Sequence, residues 1–383
     1  MAAAGALAMV LGRPATRQRH FDALDGLRGL AVLVVIASHM ALLGFLPGVQ
    51  AGGMGKSGVY LFFVLSAFLL TRVLLDRPPA AFTDGWLWGG YALRRVLRIW
   101  PLYLVVLLAS WGVTRAGVAG WPYPLDTAAL LRHLALQEGQ SVLWSIPVEF
   151  KFYLLLPVIA FVLAWMAHRR VPLGWQAAAF LVAIGCCTVA WPPGETARND
   201  VRLGPYLVVF LCGAFAAAID RSIAVDPARR RRPRAWGAAG VLALVVAGAA
   251  SPASWSLITG SPLDLRVSHH WFLLFGVAWS TLLLSALHGP RWWTGIFGSA
   301  GLRLVGVVSF SAYLWHLPVL LGLRAAGVGA WPAAPAWMFS GVLLASLASF
   351  LLVERPWRDV RLRRGPRRAD GKIDGSTQGG SPS

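Results

Sequence analysis

The chain has 383 residues, of which 57% are hydrophobic and 13% are charged, and it carries a formal net charge of +19. Such hydrophobicity excludes an intrinsically disordered chain, and a soluble globule of this composition would expose apolar patches larger than monomers tolerate. The basic charge argues against a nucleic-acid-binding protein unless the basic residues form a face or a stripe. Three cysteines exclude a disulfide-stabilised scaffold.

Ten apolar stretches predict transmembrane helices, because about 20 apolar residues cross a hydrocarbon core of about 30 Å. In chain order they are Gly29–Pro47, Gly58–Leu75, Ile99–Ala119, Ile146–Ala167, Trp175–Trp191, Leu203–Ile219, Trp236–Ala250, Trp271–Leu287, Leu304–Leu323 and Ala336–Val353. The seventh is short and rich in Ala and Gly. Many tryptophans lie near the ends of these stretches, where an amphipathic ring prefers the membrane interface. The sequence therefore predicts an all-α, polytopic integral membrane protein.

The two ends of the chain differ from this apolar body. The segment Met1–Leu11 lacks a basic start and a clear cleavage site, so we expect residues 1–20 to be a cytoplasmic leader rather than a signal peptide. Residues 21–358 are expected to form one transmembrane domain. The tail, 359–383, is basic and then rich in Gly and Ser, which predicts cytoplasmic disorder.

The distribution of basic residues predicts the orientation in the membrane. If the N-terminus is cytoplasmic and the ten helices alternate, 27 of the 35 Lys and Arg residues lie on the cytoplasmic side and seven on the opposite side. This asymmetry agrees with the rule that cytoplasmic segments are enriched in Lys and Arg. Both termini are therefore predicted to be cytoplasmic.

Ionisable residues inside transmembrane stretches are candidates for function, because burying them in lipid is costly. The sequence places His39, Glu149, Lys151 and His316 there. Three arginines mark the predicted cytoplasmic ends of the first and third stretches, namely Arg28, Arg95 and Arg98.

Helical geometry relates several of these residues. Arg28 and His39 are 11 residues apart, which is three turns plus about 20°, so they share a face with His39 about 16 Å deeper. Asp25 pairs with Arg28 if the helix extends that far, and Glu149 and Tyr153 share a face at a spacing of four. We expect the arginines innermost, His39 near the middle of the membrane and Glu149 towards the outer side.

Structural roles are the alternatives for these residues. The arginines can be ordinary cytoplasmic anchors, and each histidine can be a packing residue that bonds a neighbouring helix. Ser66 can bond back to its own helix. Glu149 and Lys151 face different ways because they are only two residues apart. No metal site is predicted, since the adjacent His269 and His270 are weak evidence without further ligands.

Six blocks, in order, carry a family resemblance. They are Phe21–Ala31 followed by His39, then Gly58–Leu69, Arg94–Tyr103, Trp144–Tyr153, Ser311–Pro318 and Val353–Arg358. Together they resemble the acyltransferase 3 family of integral-membrane acyltransferases. The chain departs from many members at Ala67, where they have Gly, and at Phe150, where they have a second acid. Glu149 is therefore the only carboxylate of its block.

The resemblance implies about ten transmembrane helices and transfer of an acyl group, often acetyl, to a hydroxyl of a carbohydrate or small molecule. It also implies that Arg28 and His39 form the family's R-x10-H pair and that Arg95 and Arg98 form its R-x-x-R pair. Residues 21–358 would be the acyltransferase domain, in the plasma membrane. The acceptor can be an envelope polysaccharide, a glycolipid or a natural product, and the length of the acyl group stays open.

These residues suggest a mechanism in which His39 is the general base for the acceptor hydroxyl, since a histidine can be neutral at working pH. Arg28, Arg95 and Arg98 would hold the phosphates of acyl-CoA, a co-substrate rather than a tightly bound cofactor. Glu149 would orient the acceptor or relay the proton. Further substrate contacts are predicted for Asp25, Ser66, Trp144, Ser145, Tyr153, Tyr313 and His316. An acyl-His39 intermediate is a variant of this scheme.

Two other classes of function fit the same intramembrane residues. A transporter or flippase for a glycolipid or polar metabolite would use His39 and Glu149 as a proton relay. A structural subunit of an envelope assembly predicts that substitution of His39 has no effect. Acyl transfer by the purified protein in detergent distinguishes the enzyme from both.

Overall fold

The computed structural model describes residues 19–49, 51–197, 199–226, 232–358 and 360, and within these ranges every regular element is a helix. The predicted all-α class is therefore confirmed. The predicted leader and tail lie outside the described residues, apart from residues 19, 20 and 360.

Sixteen α-helices follow one another in the described part of the chain, with short 3₁₀ turns between some of them and one π-helical segment. They are α1 Arg19–Leu42, α2 Gly55–Leu75, α3 Gly85–Arg115, α4 Thr127–Leu134, α5 Ser145–His168, α6 Leu173–Ala190, α7 Leu207–Val225, α8 Pro233–Ala249, α9 Pro252–Thr259, α10 Val267–His270, α11 Phe272–His288, α12 Arg291–Phe297, α13 Ala300–Val307, α14 Ser309–Ala325, α15 Ala334–Ser349 and α16 Arg355–Arg358. The π-helical segment, Phe350–Glu354, joins α15 to α16.

Seven of the described helical segments are long and apolar enough to cross a membrane, and two bent pairs of helices raise this number to nine. The bent pairs are α8 with α9, at 71°, and α11 with the segment Arg291–Val307, at 114°. Each of the ten predicted stretches overlaps a helix, but the ninth is divided between α13 and α14. The number ten and the side of the termini remain predictions.

The first helix is placed differently from its predicted stretch. α1 begins ten residues before Gly29 and ends at Leu42, five residues before Pro47. The apolar pattern continues past Leu42, but Gly44 and Gly48 adopt left-handed backbone conformations that a continuing helix does not allow. His39 is therefore in the last turn of α1, and its depth in the membrane stays a prediction.

α2 is the central helix of the bundle and packs against α1, α5, α7 and α11. Its Phe63 stacks on Phe210 of α7 with ring centroids 4.5 Å apart, and Phe152 of α5 stacks on the same ring at 4.0 Å. Buried aromatic pairs of this kind stabilise a packing beyond their buried area. They hold the start of α5, which carries Glu149, beside α2.

Glycine allows α1 to approach α12 and α13 at backbone distance. A Cβ atom at Gly306 would overlap the carbonyl oxygen of Asp25, and one at Gly26 would overlap that of Phe297. Only glycine permits such a close approach of two backbones. The contact fixes the turn of α1 that carries Asp25 and Arg28.

Candidate active site

Three adjoining cavities contain most of the predicted site residues. The arginine cavity, about 190 Å³, is lined by Arg28, Arg95 and Arg98, and the histidine cavity, about 120 Å³, by His39. A middle cavity of about 60 Å³ shares its three arginines with the former and Val59 and Tyr313 with the latter. Because neighbouring cavities share lining residues, the three adjoin one another between the arginines and His39, and the middle cavity is the smallest.

The arginine cavity is strongly basic. Five arginines and two carboxylates line it: Arg28, Arg94, Arg95, Arg98 and Arg358 with Asp25 and Glu354. Guanidinium groups bind phosphate through charge-assisted, often bidentate hydrogen bonds, so this concentration of arginines suits an anionic ligand.

Two of these arginines are held in place from within the bundle. Arg28 forms an ion pair with Asp25 at 3.0 Å, which confirms that α1 extends to Asp25. The guanidinium carbon of Arg95 lies 5.7 Å from the ring centroid of Tyr153, and its Nε is buried without a hydrogen-bond partner among the described residues. A buried donor without a partner favours an additional ligand at this position.

Glu149, Tyr153 and Ser66 form a hydrogen-bonded cluster in and beside the middle cavity. Ser66 Oγ donates to Glu149 Oε1 at 2.7 Å, and the Tyr153 hydroxyl donates to the same oxygen at 2.5 Å. The hydroxyl of Ser66 therefore bonds across to α5 rather than back to its own helix. Lys151 takes no part in the cluster, because its Nζ donates to the carbonyl oxygen of Val201 at 2.7 Å.

The position of Glu149 along the bundle corrects its predicted depth. Glu149 lines the middle cavity with the three arginines, whereas His39 lines the histidine cavity. The expected order, with Glu149 further out than His39, is therefore reversed. The reason is local: His39 is in the last turn of α1, while Glu149 lies one turn into α5, after the 3₁₀ turn Ser141–Trp144.

His39 contacts His316, the other histidine predicted from the sequence to lie within the membrane. Its Nδ1 lies 2.9 Å from the Val35 carbonyl oxygen and 3.3 Å from Nε2 of His316. His316 is fully buried, and its Nδ1 lies 2.7 Å from the Tyr313 carbonyl oxygen. Nitrogens that face carbonyl oxygens carry the hydrogen, so both rings are protonated at Nδ1 when neutral. Nε2 of His39 then has the lone pair that a base requires.

Tyr313 separates the middle cavity from the histidine cavity. Its hydroxyl donates to the Val142 carbonyl oxygen at 2.5 Å and accepts a hydrogen bond of 2.9 Å from Ser145. Trp144, which is buried, lines the histidine cavity beside this network. The structure thus brings all twelve predicted site residues to the three cavities or into direct contact with a lining residue.

Other lining residues were not among the predicted ones. Glu354 and Arg358 line the arginine cavity, and Lys56 and Asn199 line the histidine cavity. Glu354 and Arg358 belong to the last of the six sequence blocks. That block contributed to the family resemblance but did not indicate what either residue does. Lys56 is one of the seven basic residues predicted on the side opposite the cytoplasm, and Asn199 lies in a loop without a motif. Within the described residues, no group of three or more His, Cys, Asp or Glu is placed to hold a metal.

Known proteins that are similar to this chain are named as O-acetyltransferases or as a transacylase. A family model described as an acyltransferase domain matches residues 21–355. BcsY of Komagataeibacter xylinus, whose name describes a membrane-bound transacylase, is 27% identical over 379 residues, 91% of this chain and 85% of the relative. The peptidoglycan O-acetyltransferase OatA of Listeria monocytogenes is 25% identical over 79% of this chain.

A Staphylococcus aureus protein named as an O-acetyltransferase is 24% identical, also over 79% of this chain. The chain spans about half the length of the Listeria and Staphylococcus relatives, 50% and 51% respectively. No solved structure matches the chain.

Proposed function

The chain belongs to the acyltransferase 3 family of membrane O-acyltransferases, and from this premise we propose that it transfers an acyl group, acetyl in the simplest case, from a cytoplasmic thioester donor such as acyl-CoA to an acceptor hydroxyl. The observation that carries the proposal is the series of cavities from Arg28, Arg95 and Arg98 to His39. Family membership favours this enzyme over the transporter and the structural subunit.

The arginine cavity is the proposed donor site. A thioester donor of the acyl-CoA type has phosphates at one end and the thioester at the other, with a long flexible arm between them. The phosphates would bind Arg28, Arg95 and Arg98, and the arm would pass through the middle cavity. Its small volume, about 60 Å³, suits a narrow chain rather than a nucleotide.

His39 is the proposed base. Its Nε2 takes the proton from the acceptor hydroxyl as the oxygen attacks the thioester carbonyl carbon. The carbon–sulfur bond then breaks, and the proton passes from His39 to the departing thiolate. The products are an ester and a free thiol, and the enzyme returns to its starting protonation state.

Glu149 is proposed to act in the middle cavity. Its carboxylate accepts hydrogen bonds from Ser66 and Tyr153 and lies among the arginines that would bind the donor. A fixed negative charge at this position orients the guanidinium groups and keeps the donor arm aligned with His39.

The histidine cavity is the proposed acceptor site, where Trp144, Ser145, Tyr313 and His316 shape the surroundings of His39. The charge asymmetry of the sequence supports a cytoplasmic location of the arginine cavity, and the family resemblance supports a location in the plasma membrane. Carbohydrates of the cell envelope, glycolipids and small natural products are the candidate acceptors, and the name of the Listeria relative supports the first of these.

The experiment that tests this function compares cells with and without the gene by mass spectrometry of envelope glycans, lipids and secreted metabolites. We expect one class of molecule to lose the mass of one acyl group when the gene is deleted. Purified protein in detergent, supplied with acetyl-CoA and the deacylated molecule, should restore that mass. No transfer under these conditions would contradict the proposal.

A further inference from the structure

The histidine cavity contains a cation that the proposed mechanism does not use. Lys56 lines this cavity together with His39, and its ammonium nitrogen lies 5.4 Å from the centroid of the Trp144 ring. No aspartate or glutamate is present among the described residues that line the cavity. Lys56 therefore places a positive charge in the cavity that contains the proposed base.

The electrostatic field of α2 does not favour a lysine at this position. Lys56 is in the first turn of α2, a helix of 21 residues, and the macrodipole of a helix opposes a cation at its N-terminus. Gly53 and Gly55, at the same end of α2, also line the cavity. The amide groups of this helix end add their positive potential to that of Lys56, and both attract an anion.

A buried histidine, His269, accepts a hydrogen bond from the ammonium group of Lys56. Lys56 Nζ donates to Nε2 of His269 at 2.5 Å, and His269 Nδ1 lies 3.2 Å from the carbonyl oxygen of Thr196. Burial, and secondarily the charge of Lys56, lower the pKa of His269 to about 4. His269 is therefore neutral near pH 7, so this hydrogen bond fixes the ammonium group without cancelling its charge.

We propose that Lys56 determines acceptor specificity by binding a negatively charged group, a carboxylate or a phosphate, on the molecule whose hydroxyl faces His39. The inference rests on the proposed function and narrows its acceptor to anionic molecules. A carboxylate would come from an acidic sugar and a phosphate from a phosphorylated sugar or glycolipid. Both accept charge-assisted hydrogen bonds from an ammonium group.

The test uses the acylated product that mass spectrometry identifies in wild-type cells. We expect that molecule to carry a carboxylate or a phosphate. Its deacylated form is prepared with the anionic group intact and with that group removed, by carboxyl reduction in one arm and phosphatase treatment in the other. The arm that changes the rate identifies the source of the charge.

Lys56→Met should lower kcat/KM for the intact acceptor at least tenfold, leave the KM for acetyl-CoA unchanged and have little effect with the neutralised acceptor. Lys56→Arg, which keeps the charge, should retain the preference for the anionic form and shows that the site tolerates substitution. The matched control is Arg115→Met, because Arg115 also lies 5.4 Å from a tryptophan ring but does not line any of the three cavities.

A neutral natural product, or an equal loss with both forms of the acceptor, would overturn the assignment of Lys56 while leaving the acyltransferase intact. Absence of any acyl transfer by the wild-type protein would remove the proposed function, and this inference with it.

Discussion

Nε2 of His316 lies 3.3 Å from Nδ1 of His39, although 277 residues separate the two in the chain. The contact places a buried imidazole, itself bound to the carbonyl oxygens of its own helix, behind the proposed base. Because His316 presents Nε2 as an acceptor, it favours the form of His39 that carries hydrogen on Nδ1.

Replacement of the base should abolish transfer. His39→Ala removes the only group that we assign to proton abstraction, and loss of a general base typically lowers kcat by about 100- to 10,000-fold. The measurement is acetyl transfer from acetyl-CoA by purified protein in detergent. His168→Ala, at the exposed end of α5, makes the same substitution away from the cavities and should keep its activity. Normal turnover by His39→Ala would remove the central claim.

Replacement of His316 should have a smaller effect of a different kind. His316→Phe keeps a ring in the buried position but removes the second, more distant acceptor beside His39 Nδ1 and leaves the Val35 carbonyl oxygen. We expect a lower kcat with little change in either KM, and a shift in the pH dependence of kcat, because His316 positions the base without binding substrate. His316→Gln, which retains a polar group, should recover part of the rate. If both variants lose only protein yield, the role of His316 is structural.

Arg95 should contribute to donor binding. Arg95→Ala removes a partly buried guanidinium group, and a hydrogen bond to a charged group contributes about 1.5–3 kcal/mol. We therefore expect the KM for acetyl-CoA to rise about tenfold to a hundredfold, with little change in the acceptor KM. Arg169→Ala is the matched control, since Arg169 also lies over an aromatic ring, at 5.9 Å, but outside the cavities. An effect confined to the acceptor would assign Arg95 to the other substrate.

Local helical spacing made part of this site predictable. Asp25 with Arg28, and Glu149 with Tyr153, are separated by three and four residues, and such pairs meet on any α-helix. The sequence thus indicated both pairs before their helices were seen. The face shared by Arg28 and His39 was predictable in the same way, because both lie in α1.

Contacts between distant segments were not predictable from the sequence alone. Hydropathy does not show which side chain of α2 faces α5, so the bond from Ser66 to Glu149 became visible only in the packed bundle. The same is true of Lys56 and His269, which are 213 residues apart. The end of α1 was not predictable either, because apolar residues continue beyond Leu42 although the backbone turns at Gly44.

The backbone contact at Gly306 should be essential for the geometry of the arginine cavity. Gly306→Ala introduces a methyl group that overlaps the carbonyl oxygen of Asp25, and overpacking of this kind costs about 1–3 kcal/mol. We expect lower thermal stability and a higher KM for acetyl-CoA, because the turn carrying Arg28 must move. Gly301→Ala provides the control within α13, since a Cβ there meets no atom within 4 Å. Equal stability of the two variants would contradict the argument.

The stability of the histidine end of the bundle should depend on pH through His269. Burial first, and then the charges of Lys56, His270 and Arg266, lower the pKa of His269 from 6.5 to about 4 in the folded protein. Below pH 6.5 the unfolded chain therefore binds a proton that the folded chain does not, and stability falls as the pH decreases towards 4. Thermal unfolding in detergent between pH 7.5 and 4 measures this dependence.

His269→Gln keeps a polar side chain beside Lys56 but cannot be protonated, so its stability should fall less steeply over that range than the stability of the wild type. His133, whose pKa is also lowered by burial, is present in both proteins and contributes equally to their slopes. The control is His168→Gln, which changes an exposed histidine that is not among the groups that shift His269 and should reproduce the wild-type slope. Identical slopes for His269→Gln and the wild type would mean that folding does not lower the pKa of His269. The folded protein would then bind this proton below pH 6.5 just as the unfolded chain does, which would contradict the neutral contact inferred for Lys56 over that range.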